Sequence, residues 1–203
     1  MSTPDAQPPA PDRRTLIADT AIGLVAAGGL RSLTHRAVDG AARLPAGSTS
    51  YYFRTRTALI GACYGRLVEL DLEDLEGRDG DTPTGPLDRD GAERVLGALL
   101  HRWLTEGRAR QLARFELSLE AARNPELEPE LHRAGLRARA RAAAVLTALG
   151  AARPQESAEL LAAWTDGLLY DRLAGSLARS RPAPDPAELT ATVRRMLDAV
   201  LAP

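Results

Sequence analysis

Residues 32–59, SLTHRAVDGAARLPAGSTSYYFRTRTAL, place side chains able to hydrogen-bond beside guanidinium groups. Ser48, Thr49, Ser50, Tyr51 and Tyr52 follow one another, with Arg36 ahead of them and Arg54 and Arg56 behind. Short hydroxyls and phenols bond phosphate oxygens or meet base edges and thymine methyls. An arginine grips guanine bidentately or neutralises a phosphate. Nothing here is suited to bond-making chemistry. HExxH, GxSxG, a Walker loop and GxGxxG are all missing from the chain, and His35, His101 and His132 are too far apart to read as a metal motif. No catalytic residue, metal ligand or cofactor is expected.

These residues need elements to present them. The spacing predicts two short helices, at about 35–42 and 46–53, joined by a turn at Leu44-Pro45. Two helices of about two turns bury little by themselves and need support on both sides. The segments 13–27, with Leu16, Ile17, Ala21, Leu24 and Val25 on one face, and 56–76, with a Leu59, Cys63, Leu67, Leu70 stripe, supply it. Gly28-Gly29 stops the first helix, and Ser32 or Thr34 can cap the next. Ala37, Val38 and Ala41 are expected to face inward. The layout is that of a helix-turn-helix, whose second helix enters the major groove.

Charge supports this. The chain of 203 residues carries 26 Arg, no Lys and 27 acids, for a net charge of −1. Residues 13–66 hold eight Arg (13, 14, 31, 36, 43, 54, 56 and 66) against Asp19 and Asp39, so a basic N-terminal third joins an acidic remainder. Such asymmetry points to an anionic partner. Arginine without lysine, with much alanine, suggests a GC-rich bacterial genome.

The segment resembles the N-terminal domain of the tetracycline-repressor-like transcriptional regulators. Their pattern runs close to T-x-R-x-[VI]-A-x-x-A-G-V-S-x-G-[ST]-L-Y-x-[YH]-F-x-[ST]-K-x-x-L. Thr34, Arg36, Val38, Ala42, Leu44, Gly47, Ser48, Tyr52, Phe53, Thr55 and Leu59 match it or substitute conservatively. Arg56 stands for a lysine that touches phosphate in relatives. Asp39 stands where a small residue is usual, Arg43 replaces the turn glycine, and Ser50 replaces a tyrosine. The resemblance covers about residues 13–70. The candidate DNA-binding residues are Thr34, His35, Arg36, Gly47, Ser48, Thr49, Ser50, Tyr51, Tyr52, Arg54 and Arg56.

Beyond GRDGDTPTGPLDRDG, residues 77–91, which reads as a mobile connection, five more helices are predicted at about 91–106, 108–124, 128–149, 154–180 and 186–201. The expected fold is all-α with about nine helices. Residues 1–12 form a Pro-rich disordered tail, 13–58 a three-helix DNA-binding domain, and 59–203 a helical regulatory domain. By resemblance, that last part senses a ligand and dimerises. In residues 154–180, Leu161, Trp164 and Leu168 lie on one side, and Ala163, Gly167, Ala174 and Ala178 form a small-residue stripe. Leu189, Val193, Leu197 and Val200 follow helical spacing in 186–201. Together these two helices are expected to build a four-helix dimer interface. Residues 108–124 are apolar over a wide arc, through Leu112, Phe115, Leu117, Leu119 and Ala122, which marks a central helix. His101, Trp103, Phe115, Glu116, Leu119, Trp164 and Tyr170 are the candidate lining of a pocket, in which Glu116 favours a cationic ligand.

The expected partners are a double-stranded DNA operator, a small-molecule effector and a second copy of the chain. The expected mechanism is a homodimeric repressor released from its operator by the effector. A helical protein-interaction module, or a ligand-binding protein without specific DNA binding, is the alternative. The longest uncharged apolar run, Thr20 to Leu30, is about half of what a membrane span needs. The N-terminus lacks the basic-then-apolar order of a secretory signal, and Cys63 is the only cysteine, so a cytoplasmic location is expected.

Overall fold

The computed structural model describes residues 12–76 and 88–202. Among them are nine α-helices and no strand: α1 (Arg13–Gly28), α2 (His35–Ala41), α3 (Ser48–Tyr52), α4 (Arg56–Glu76), α5 (Arg89–Leu104), α6 (Arg108–Ala121), α7 (Glu128–Ala148), α8 (Pro154–Leu173) and α9 (Pro186–Leu201). Two 3-10 turns, Leu30–Ser32 and Pro125–Leu127, sit between α1 and α2 and ahead of α7. No described helix is long and apolar enough to cross a membrane. The tail 1–11 and most of the expected connection lie outside the described residues. The last part of that connection belongs to α5, because Asp88 caps its first turn by accepting from the Gly91 amide at 2.7 Å.

Two cores stack end to end. In the first, Ile17, Ala21, Ile22 and Val25 of α1 meet Val38, Phe53, and Leu59, Ile60, Cys63, Tyr64 and Leu67 of α4. Leu117 and Ala121 of α6 and Leu127 close it from below. In the second, α5, α7, α8 and α9 enclose Leu100, Leu104, Leu146, Leu169, Leu189, Val193 and Leu197. The long helix α4 starts in the first core and runs along the second. Arg66 fastens it to α1 through Asp19 at 2.8 Å and bonds Glu73 on its own helix at 3.0 Å.

Several expectations need correction. Helix α8 stops at Leu173, not near residue 180. The Gly175 amide turns back to Tyr170 O at 2.9 Å, and a Cβ at Gly175 would stand 2.6 Å from Asp171 O. On α2, Val38 and Asp39 are buried, whereas Ala41 is exposed. Helix α6 buries Gln111, Ala113, Leu117 and Ala121, while Leu119 and Ala122 face outward. The apolar stripe of α9 is not offered to a partner. Leu189, Val193, Leu197 and Val200 all turn inward onto the second core. Helix α5 comes so near that a Cβ at Gly97 would lie 3.0 Å from the Thr190 Cα. The outer face left open is on α8, where Leu160, Ala163, Trp164, Gly167, Tyr170 and Ala174 recur at helical spacing and are exposed.

Candidate nucleic-acid interface and effector cavity

The first core holds α2 and α3 as a rigid pair. Thr34 caps α2 by accepting from the Ala37 amide at 3.1 Å. The chain then leaves α2 through Arg43, whose φ of 54° is the one positive value among described non-glycine residues. The Leu44 amide reaches back to Asp39 O at 2.8 Å, and the Arg43 amide to Gly40 O at 3.2 Å. Six-to-one closure of this kind ends a helix with a left-handed residue, usually glycine. Arginine accepts the steric cost of the same geometry here. Gly47, at φ 89°, opens α3.

The candidate residues divide into three groups. Arg36, Ser50, Tyr51 and Arg54 are exposed, with Gly47 beside them, and Tyr51 is 81% exposed. Arg36, Arg43 and Arg54 make no ion pair among the described residues. Tyr52 is half-buried, stacks edge-on against Tyr51 at 5.2 Å, and lies 5.7 Å beneath the Arg14 guanidinium. Ser48 is half-buried, and its hydroxyl donates to Pro45 O at 2.6 Å.

Three residues are committed elsewhere. Thr49 is fully buried, with its hydroxyl donating to Asp39 at 2.6 Å, so it cannot touch DNA. His35 Nε2 donates to Phe53 O at 2.7 Å and pins α2 to the end of α3. Arg56 bonds Leu30 O at 2.9 Å and Glu120 at 3.2 Å, which ties the start of α4 to α6. The sequence-based pattern gave these three the same standing as their exposed neighbours. It has no term for which way a side chain turns.

Below this unit, a cavity of about 670 Å³ opens between α4, α5, α6, α7, α8 and α9. Tyr64, Leu67, Leu72, Leu100, Trp103, Val145, Leu161 and Met196 are among its apolar and aromatic walls. Of the expected lining, only Trp103 is present. His101, Phe115, Glu116, Leu119, Trp164 and Tyr170 all lie outside it. Phe115 packs edge-on against Tyr170 at 5.6 Å, while Leu119, Trp164 and Tyr170 are exposed on the outer surface. Glu116 faces the end of α1, 3.9 Å from where a Gly29 Cβ would stand. The cause is helix phase. Helix α6 turns Arg114 and Ser118, not its bulkier apolar residues, toward the cavity.

Charged side chains enter the lining from four helices: Asp71 of α4, Arg114 of α6, Arg139 and Arg141 of α7, and Glu159 and Asp166 of α8. Burial pushes the Asp71 carboxyl up to about 6, against the opposing pull of Arg110 and Arg114. Arg110 stands 3.6 Å from Oδ1, and Gln111 donates to the same oxygen at 3.3 Å. Arg114 in turn donates to Gln111 Oε1 and Asp166 Oδ1, each at 2.8 Å. Behind the wall, Asp74 accepts from Trp103 Nε1 at 3.0 Å and pairs with Arg110, which fixes the indole. Tyr64 bridges levels: it lines the cavity, and its hydroxyl donates to Leu117 O at 2.5 Å inside the upper core. Burial raises that phenol to about 12, so it stays a donor at neutral pH. Asp71, Arg114 and Asp166 carry no sequence pattern that marks them. They are charged residues on amphipathic helices like many others.

The family model of the tetracycline repressor-like C-terminal domain matches residues 87–202, more than half of the chain. The chain belongs to the tetracycline-repressor-like family of transcriptional regulators. Solved structures agree over nearly the whole length. The multidrug binding protein EbrR, complexed with imidazole, is 27% identical with a TM-score of 0.65, covering 96% of this chain and 98% of that one. In complex with malachite green, the same protein is 28% identical at a TM-score of 0.63, over 92% and 98%. A TetR family member from Streptomyces coelicolor A3 is 26% identical at a TM-score of 0.66, over 92% and 98%. A transcriptional regulator from Rhodococcus sp. Rha1, 24% identical, shares the fold at a TM-score of 0.69, over 94% and 96%. No curated protein sequence matches significantly.

Proposed function

We propose that this regulator is a homodimeric repressor released from its DNA operator by a small-molecule cation that enters the α4–α9 cavity. The observation that carries the reading is helix α4. Its first turns hold the base of the helix-turn-helix through Leu59 and Ile60, and its last turns wall the cavity through Asp71 and Leu72. A ligand that moves the lower part of α4 moves the DNA-facing unit with it. The effect on DNA affinity is bounded by the ligand's differential affinity for the two arrangements.

Arg36, Arg43, Ser50, Tyr51 and Arg54 are the proposed contact set, with Gly47 allowing close backbone approach. Two such units, paired through the exposed α8 face, read two half-sites by two-fold symmetry. Arg114 pairs with Asp166, and Arg139, Arg141 and Glu159 are exposed to solvent, so Asp71 among the apolar walls is the charge that favours a flat or bulky cation. The relative EbrR is seen with ethidium, proflavin and malachite green.

The test is fluorescence anisotropy with labelled duplex from the region upstream of the gene, over a series of salt concentrations. Log affinity falls linearly with log salt where phosphates are neutralised. Arg36→Ala and Arg54→Ala both weaken binding, and ethidium releases the duplex from wild type at about tenfold lower concentration than from Asp71→Asn, which separates entry into the cavity from intercalation into the DNA. Binding that no duplex selected from random sequence improves returns the chain to the ligand-binding alternative.

A further inference from the structure

Asp39 is on α2 but serves α3. Its side chain is buried, at 5% exposure, and its carboxylate crosses the turn to the first residues of the recognition helix. Oδ2 accepts from the Gly47 amide at 2.8 Å. Oδ1 accepts from the Thr49 amide at 2.8 Å and from the Thr49 hydroxyl at 2.6 Å. The three donors hold the carboxyl below the ordinary carboxylate range although burial opposes them. The acid therefore stays ionised at any pH at which DNA is studied.

Helix α3 has no other cap. Gly47 brings no side chain to the cap position, and Ser48 Oγ turns back to Pro45 O instead of forward. The pattern that this segment resembles has a small residue where Asp39 stands, and Pro45, two residues ahead of Gly47, offers no side-chain acceptor. A helix of five residues does not hold its own shape. Its first amides have no partner within the helix, so the neighbouring carboxylate supplies one. The hydroxyl bond adds a constraint that amide capping lacks. It turns Thr49 inward, and successive helix positions differ by about 100°. Ser50 and Tyr51 are thereby directed outward, and both are exposed. Burial under three donors also hides a negative charge that would otherwise repel phosphate within the most basic part of the chain.

We propose that Asp39 is the positioning residue of the recognition helix. Without touching DNA, it sets the rotation at which α3 presents Gly47, Ser50 and Tyr51 to base edges. This rests on the DNA-binding reading above and names the residue on which sequence discrimination depends.

The test uses the full chain and a duplex chosen by random-sequence selection with the wild type. Three quantities are measured for wild type, Asp39→Asn and Thr49→Val: the ratio of affinities for selected and scrambled duplex, the slope of log affinity on log salt, and ethidium affinity. Asparagine aims an N–H2 at the Gly47 amide, donor against donor. The discrimination ratio is expected to fall about tenfold or more in Asp39→Asn. Thr49→Val keeps the shape and removes one of the three donors, and a fall of about threefold is expected. The salt slope and ethidium affinity stay at wild-type values, since phosphate contacts and the cavity are untouched.

A wild-type ratio in Asp39→Asn overturns the proposal. So does a parallel loss on selected and scrambled duplex, which marks a merely structural residue. Should Asp39→Asn not fold, as judged by circular dichroism, Thr49→Val decides on the same criteria. Failure of the wild type to discriminate any duplex removes the DNA-binding reading and this role with it. Discrimination by the wild type that the variants retain removes this role alone.

Discussion

If a cation enters the cavity because Asp71 is ionised, its affinity must follow the titration of that carboxyl. Burial places the Asp71 carboxyl at about 6. About nine-tenths is then ionised at pH 7 and about one-tenth at pH 5. A monovalent cation that depends on the charge binds about tenfold more weakly at pH 5 than at pH 7. Asp71→Asn should bind at both pH values about as weakly as wild type does at pH 5. The same group makes a second, opposite-signed contribution to stability. Its folded value lies above the ordinary 3.8, so the unfolded chain releases the proton first as pH rises. The cost to the fold is absent below about 4, grows through 6, and reaches at most about 3 kcal/mol at neutral pH. Asp71→Asn should therefore raise the melting temperature at pH 7.5 and leave it unchanged at pH 4. Ethidium fluorescence titrations at pH 5, 6 and 7, with calorimetry of the free protein, measure both effects. If Asp71→Asn keeps the wild-type pH slope, the argument from the buried carboxyl is wrong.

Three further outcomes are expected. Arg43→Gly relieves the left-handed strain and stabilises the fold by about 1 kcal/mol, seen as a melting temperature higher by about 2–4 °C; DNA binding loses salt steepness, because an exposed guanidinium is gone. Gly97→Val forces a side chain against the Thr190 backbone and costs about 1–3 kcal/mol in denaturant unfolding; Thr190→Ala does not rescue it, since the Cα is itself too close. Trp164→Glu puts a charge on the open α8 face, and light scattering should find a monomer that still melts cooperatively and binds ethidium.

Helices and their order could be read from the sequence, because apolar periodicity and the Gly, Pro and Asn stops are local properties. The pattern from Thr34 to Leu59 located the pair of short helices α2 and α3 for the same reason. What could not be read depends on partners far along the chain. Asp39 reads as a departure from a family pattern until Gly47 and Thr49 are folded against it. The stripe of α9 suits a dimer interface equally well until α5 takes it. Phe115 and Tyr170 are plausible pocket residues by type, but the phase of α6 against α8 pairs them with each other away from the cavity. Asp71 gave no signal, because a carboxylate on a helix is ordinary until apolar walls close round it. Gly175, which ends α8 early, had no accompanying proline within the helix to announce it.

The cavity has walls of unequal stiffness. On one side, α5 and α9 are welded. Gly97 lets their backbones nearly touch, and the buried Glu93 takes Arg89 of its own helix and Arg194 of the other at 3.2 and 2.8 Å. On the other side stands α7, of whose 21 residues only Ala143 and Leu146 are buried. Displacing α9 would break a close backbone approach and the Glu93–Arg194 ion pair, whereas α7 packs along α4 and α8 with no ion pair to either among the described residues. The α5–α9 seam is thus fastened by charge and by backbone contact together, and the α7 side of the chamber by packing alone.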